Sequence, residues 1–168
     1  MTLLGFTIDS HLTFRPQIDS AVRKAHTGLG LLRLASKYIP KNLLKLMYMA
    51  IVRSHLEYCS TIFTGAAKTH LKKLDTVQKI AARIIHRTTK NSHAAPLIED
   101  LKLENLSNRR EKRLVKLSTD ILIGNCHPAL QNFFEVNPIT GAIADVVART
   151  RIGKRRFKSK AADRKSVV

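Results

Sequence analysis

Three long stretches of this chain place apolar residues three and four apart, and that spacing sets the fold class more firmly than anything else in the sequence. In the first, Ile18, Val22, Ala25, Leu29 and Leu32 form one stripe of a helix. Pro16 suits its first turn, where the missing N–H costs nothing. Pro40 disfavours a helical Ile39, so this helix is expected to stop near Tyr38. Gly28 and Gly30 weaken it by roughly 1 kcal/mol each relative to alanine, and a close helix contact or a bend would account for them. The third stretch, THLKKLDTVQKIAARIIHR, has a stripe of Leu71, Leu74, Val77 or Gln78, Ala81 and Ile84 or Ile85, with Thr69 as its expected N-cap.

Between them, LMYMAIV is almost wholly apolar and reads as the central helix. It is expected to be capped by Asn42 or to begin at Pro40. Its expected buried face is Leu43, Met47, Ala50 or Ile51, and Ser54. LEYCSTIF either continues that helix or bends before Gly65. Ser92 is the expected cap of a short helix over 94–101. A further helix is expected over 106–123, with Leu114, Leu117 and Ile121 as its stripe and Gly124 as its stop. One more turn or two is expected over 129–134, and Asn137-Pro138 marks a loop. Leu3, Leu4, Phe6 and Ile8 read as a strand of about five residues, with Leu12–Phe14 as a second extended piece. A hairpin of that size is marginal alone. The expected architecture is mainly α: a small helical bundle over 16–124, a short hairpin over 1–15, and an irregular basic segment over 125–168.

Charge narrows the function. Thirty Lys and Arg face 12 Asp and Glu among 168 residues, a formal net charge of +18. Residues 141–168 alone carry nine basic and two acidic groups. A field this positive favours a polyanion, nucleic acid or an anionic surface. No run approaches about 18 consecutive apolar residues, so no membrane span is expected. Two cysteines, Cys59 and Cys126, build no disulfide framework, and the first residues do not read as a signal peptide. The expected location is inside the cell, nucleus and cytoplasm being equally open.

Recognisable catalytic chemistry is scarce. His55 and Cys59 stand four apart, as zinc ligands on one helix could, yet no second pair completes a site. Nothing identifies a base for Cys59. The carboxylates Asp9, Asp19, Asp75, Glu99, Asp100 and Glu104 are scattered among basic residues, and no Gly-rich phosphate loop is present. Three basic groups have the stronger case as phosphate contacts: Lys72, Lys73, Lys79, Arg83 and Arg87; Arg109, Arg110, Lys112 and Arg113; and Lys154, Arg155 and Arg156 with their neighbours. With few aromatics interleaved, affinity without much base specificity is expected.

The order of segments adds a resemblance. LGFTIDSHLTFRPQID, then VRKAHTGLGLLRLASKYIPKNLLKLMYMAIVRSHLEYCS, then HLKKLDTVQKIAARII resembles the downstream part of non-LTR retrotransposon reverse transcriptases. That is the region where the last palm strands give way to the helical thumb. The likeness continues more weakly through LENLSNRREKRLVKLSTDILIG and RTRIGKRRF. It implies an RNA-directed DNA polymerase as the parent, with RNA or DNA, as a template–primer duplex, as the partner of the thumb helices. It also implies that palm and fingers lie before Met1. The magnesium-binding aspartates of an aromatic-Ala-Asp-Asp turn would lie there too. This chain then needs no cofactor of its own and is expected to be inactive alone, with Mg2+ belonging to the full-length parent. Two other readings remain: a standalone helical nucleic-acid-binding protein, or a protein-interaction bundle whose basic faces only keep it soluble.

Overall fold

The computed structural model describes residues 1–128, 134–136 and 146–148. The chain divides into two units, Met1–Glu111 and Lys112–Val168. The first is a mainly α-helical bundle with an N-terminal hairpin. Its elements are β1 (Thr2–Leu3), β2 (Phe6–Thr7), α1 (Arg15–Ala35), α2 (Lys41–Met47), a π-helical segment (Tyr48–Arg53), α3 (Ser54–Glu57), a 3-10 turn (Ile62–Gly65), α4 (Lys68–Ile85) and α5 (Ala94–Asp100). A further helix, α6 (Leu106–Ile123), begins in this unit and ends in the second. The second unit also holds an antiparallel pair, β3 (Phe134–Val136) with β4 (Val146–Ala148). Phe134 is therefore extended rather than helical. Residues 129–133, the Asn137-Pro138 loop and the basic segment 149–168 lie outside the described residues.

The hairpin is tighter than the sequence suggests. Thr2 pairs with Thr7 and Leu3 with Phe6, so the turn falls at Leu4-Gly5 instead of after Ile8. Both turn residues have positive φ, 48° and 77°, as a two-residue I′ connection requires. Leu12–Phe14 forms no strand; Leu12 and Phe14 have positive φ as well. Two residues per strand cannot hold a hairpin in water, and tertiary contacts supply the rest. Phe6 is buried, stacked on Phe63 at 6.5 Å and tilted against Phe14 at 6.2 Å. The buried Gln17 accepts the Thr7 amide at 2.9 Å, and the Tyr58 hydroxyl donates to the Leu4 carbonyl.

α1 keeps the stripe its sequence spells out, with Ile18, Ala25, Leu29 and Leu32 buried. Pro16 lies in its first turn, and it stops at Ala35, three residues short of Tyr38. Asp9 shapes its entry. One carboxylate oxygen accepts the Thr13 amide and hydroxyl, and the other accepts the Phe14 amide. The two glycines of α1 differ. A methyl group at Gly28 would lie 3.0 Å from Val52 Cγ2 and 3.2 Å from Ile51 Cγ2, so Gly28 marks the close crossing of α1 and the π segment. At Gly30 nothing lies within 4 Å. Gly30→Ala is therefore expected to raise unfolding stability by about 0.5–1 kcal/mol, read from the urea midpoint. The same change at Gly28 should lose that gain to crowding.

The central rod buries a different face from the expected one. Leu44, Tyr48, Val52 and Leu56 are buried, whereas Leu43, Ala50 and Ser54 are exposed. The buried set repeats every fourth residue. On a regular α-helix each such step drifts about 40° around the axis. The wider π turn over Tyr48–Arg53 removes much of that drift and keeps all four side chains on the core. Pro40, not Asn42, is the N-cap of α2. The rod ends at Tyr58 and the chain reverses at Cys59, with φ of 52°.

α4 buries Leu74, Val77, Gln78, Ala81, Ala82, Ile84 and Ile85 against α1 and α5. Its N-cap is Ala67 and Thr69 lies inside the helix; α5 is likewise capped at His93, while Ser92 bonds back to Thr88 and Thr89. On α6, Leu106 and Ile121 are buried, but Leu114 and Leu117 are exposed, against the expected stripe.

Candidate nucleic-acid interface

With its apolar stripe turned inward, α4 sends its basic residues in two directions. Lys72, Lys79 and Arg83 are seven and four residues apart, which places them within roughly 40° of one another about the axis. Lys72 and Lys79 are exposed and Arg83 is half-buried. None of the three is ion-paired among the described residues. The row is about 16 Å long at 1.5 Å per residue. Lys73 points elsewhere: its Nζ donates to Asp19 at 2.6 Å, and Asp19 also lies 3.6 Å from Arg15. The hydrogen bond from Lys73 holds the Asp19 carboxyl below its ordinary range.

Beyond α4 the chain turns through Arg87, with φ of 55°. The Arg83 Nε donates to the Ser92 carbonyl at 2.9 Å and the Arg87 Nη2 to the Ile39 carbonyl at 3.1 Å. Both guanidinium groups are held by neutral carbonyls and, among the described residues, by no carboxylate. Arg83 stands between two open depressions, one towards Arg33 and Lys90, the other towards Lys79 and His93.

The next basic run behaves differently. Arg109 is committed to Glu57, donating through Nε and, at 3.2 Å, through Nη2, with Glu104 3.7 Å from its Nη1. Arg53 lies 3.6 Å from the same Glu57, whose side chain is only 9% exposed. Arg110 is buried at 5% exposure, with Asp75 at 4.0 Å. Arg110 turns into the bundle and away from solvent, while Arg109 stays half-buried and tied to carboxylates. In the second unit Lys112 is exposed and Arg113 half-buried. Lys154, Arg155 and Arg156 lie outside the described residues. Arg33 and Lys90 form no sequence patch of their own, because the fold alone brings α1 and the loop after α4 together.

His55 and Cys59 do not share a helix, since α3 ends at Glu57. Among the described residues, no group of three or more His, Cys, Asp or Glu side chains is placed to hold a metal ion, and no helix is long and apolar enough to cross a membrane. Asp100 joins Lys41 to His86, whose Nε2 lies 2.9 Å away. The Lys41 hydrogen bond and then that of His86 bring the Asp100 carboxyl down to about 2. At Asp9 desolvation pulls upward, but the Thr13 hydroxyl, the Thr13 amide and the Phe14 amide outweigh it and hold the group at about 2. A depressed carboxylate contributes stability above its ordinary pKa of 3.8 and loses it as pH falls through the folded value. The melting temperature is therefore expected to drop between pH 3.8 and about 2, with a shallower fall in Asp9→Asn and Asp100→Asn.

The bundle, the hairpin and the basic α4 face define a small helical unit with distant homology to a reverse-transcriptase-like protein, at the level of the superfamily. The relative is the RNA-directed DNA polymerase from mobile element jockey of Drosophila melanogaster, 28% identical over 160 residues. The match covers 92% of this chain and 16% of the relative, so the chain spans a small part of that protein's length. No family model and no solved structure matches the chain.

Proposed function

We propose that this chain is the thumb-like part of a retrotransposon RNA-directed DNA polymerase, and that the outward face of α4 lies along the template–primer duplex. The observation that carries the reading is the co-facial row of Lys72, Lys79 and Arg83 on the side opposite the core, none of them ion-paired among the described residues. Its length of about 16 Å matches on the order of five phosphates of one strand at 3.4 Å spacing. The distant likeness to the jockey polymerase supports the class of protein. A net charge of +18 adds long-range attraction that needs no base sequence.

In this reading residues 1–15 are the palm-end hairpin, 16–124 the thumb and 125–168 a connection with a basic end. Palm and fingers are its partner domains. The carboxylates described above serve loops and ion pairs: Asp9 the entry to α1, Asp19 Lys73, Asp75 Arg110, and Asp100 Lys41 and His86. We assign none of them to magnesium, so the chain alone does not extend a primer. The test is titration of the purified chain with an RNA–DNA hybrid at several salt concentrations, beside a primer-extension assay with RNA template and magnesium. Binding whose log affinity falls linearly with log salt, without nucleotide incorporation, is the expected pair of results. No association at low salt overturns the interface; sustained incorporation overturns the inactivity.

A further inference from the structure

The last turns of α1 and α4 and the loop after α4 enclose an open cleft of about 610 Å³. Arg33 enters it from α1, Arg83 from α4, and Arg87 and Lys90 from the loop, while Ile80 and Ile84 supply an apolar part of the wall. No Asp or Glu lines it. Arg33 and Lys90 are exposed and have no carboxylate partner among the described residues. Carbonyl hydrogen bonds fix Arg83 and Arg87 in place, and no carboxylate pairs with either among the described residues.

Helix ends explain only part of this clustering. Arg33 and Arg83 sit in the last turns of their helices, where each end carries roughly half a negative charge. Two half charges against four cations leave a surplus of about three positive charges. An anion is the complementary occupant. The isoleucines ask in addition for an apolar ring or sugar, and guanidinium groups attract aromatic faces as well as phosphates. The volume falls in the range of pockets that hold small organic molecules, about 300–1,000 Å³, which fits one or two nucleotides and not a base-paired rod. On the other side of Arg83 a second depression of about 680 Å³ offers Lys79, Asn91, His93 and Asn105, polar groups suited to base edges, with Glu99 also in its wall, so the phosphates stay on the first cleft.

We infer that this cleft binds an unpaired nucleic-acid strand, with phosphates on Arg33, Arg87 and Lys90 and a sugar or base against Ile80 and Ile84. The inference rests on the nucleic-acid reading above and deepens it: Lys72 and Lys79 meet paired backbone, and the cleft takes a strand outside the pairing. Arg83 is the wall between the two depressions, so the strand crosses it.

Fluorescence anisotropy with a short labelled pyrimidine oligonucleotide and with a blunt RNA–DNA hybrid tests this. The variant Arg33→Gln/Lys90→Gln is expected to lose about 20-fold in single-strand affinity at ~0.1 M salt and about threefold or less for the hybrid. Lys24→Gln/Lys116→Gln removes the same charge elsewhere and should change single-strand affinity by about threefold or less. An unchanged urea midpoint checks that each variant is folded. Equal single-strand losses in the two variants would show diffuse attraction and overturn the cleft. So would polyphosphate of matched charge displacing the oligonucleotide as well as unlabelled oligonucleotide does. If hybrid binding depends on Lys72 and Lys79 while single-strand binding ignores Arg33 and Lys90, the cleft fails and the duplex reading stands. If the unaltered chain binds neither nucleic acid at low salt, both fail.

Discussion

Glu57→Ala is expected to destabilise the first unit by about 3 kcal/mol. Glu57 is the shared anion of Arg53 and Arg109, with side chains 9%, 18% and 26% exposed respectively. Removing the carboxylate leaves two guanidinium groups partly buried without it. Losing one partner of a buried pair costs about 3–5 kcal/mol, because the remaining charge is desolvated and unpaired. Residual water access, and the Glu104 carboxylate that stays 3.7 Å from Arg109 Nη1, place this site at the low end. The comparison is Lys41–Asp100, where the side chains are 48% and 59% exposed. Breaking that pair should cost far less, since water replaces the partner. Urea unfolding of Glu57→Ala and Lys41→Ala measures both. Equal small losses would show that the Glu57 cluster is solvated and holds nothing together.

The second large effect concerns binding. Lys72→Gln/Lys79→Gln removes two proposed phosphate contacts whose side chains are exposed and, among the described residues, not ion-paired, so the fold is expected to survive unchanged. Each phosphate contact contributes about 0.9 to the slope of log affinity against log salt. The slope for an RNA–DNA hybrid should therefore fall in magnitude by about 2, and affinity at ~0.1 M salt by on the order of 50-fold. Lys73→Gln, whose amine is held by Asp19, should change the slope by much less. An unaltered slope in the double variant would mean that the duplex is held elsewhere on the chain.

The helices α1 and α4 were legible because each buries one stripe at a period near 3.6, and their residues say so directly. The central rod was legible as a helix but not in its facing. Leu44, Tyr48, Val52 and Leu56 look out of phase on an ideal α-helix, and the π turn that brings them into line leaves no mark in local composition. The hairpin turn at Leu4-Gly5 was hidden because Leu4 takes a positive φ that its side chain disfavours. Among the candidate contacts, Lys72 and Lys79 were readable from helical phase alone. Arg109 and Arg110 read as a surface run, because their anchors Glu57 and Asp75 are remote in sequence and no periodicity links them. Arg33 and Lys90 escaped notice for the same reason: they meet only once α1 crosses α4.

Lysine acetylation footprinting, read by mass spectrometry with and without a saturating RNA–DNA hybrid, tests the α4 face most directly. Strong protection of Lys72 and Lys79 by the hybrid is expected, with Lys24 and Lys37 modified equally in both states. Lys72 and Lys79 reacting as fast in the complex as in the free chain would contradict it.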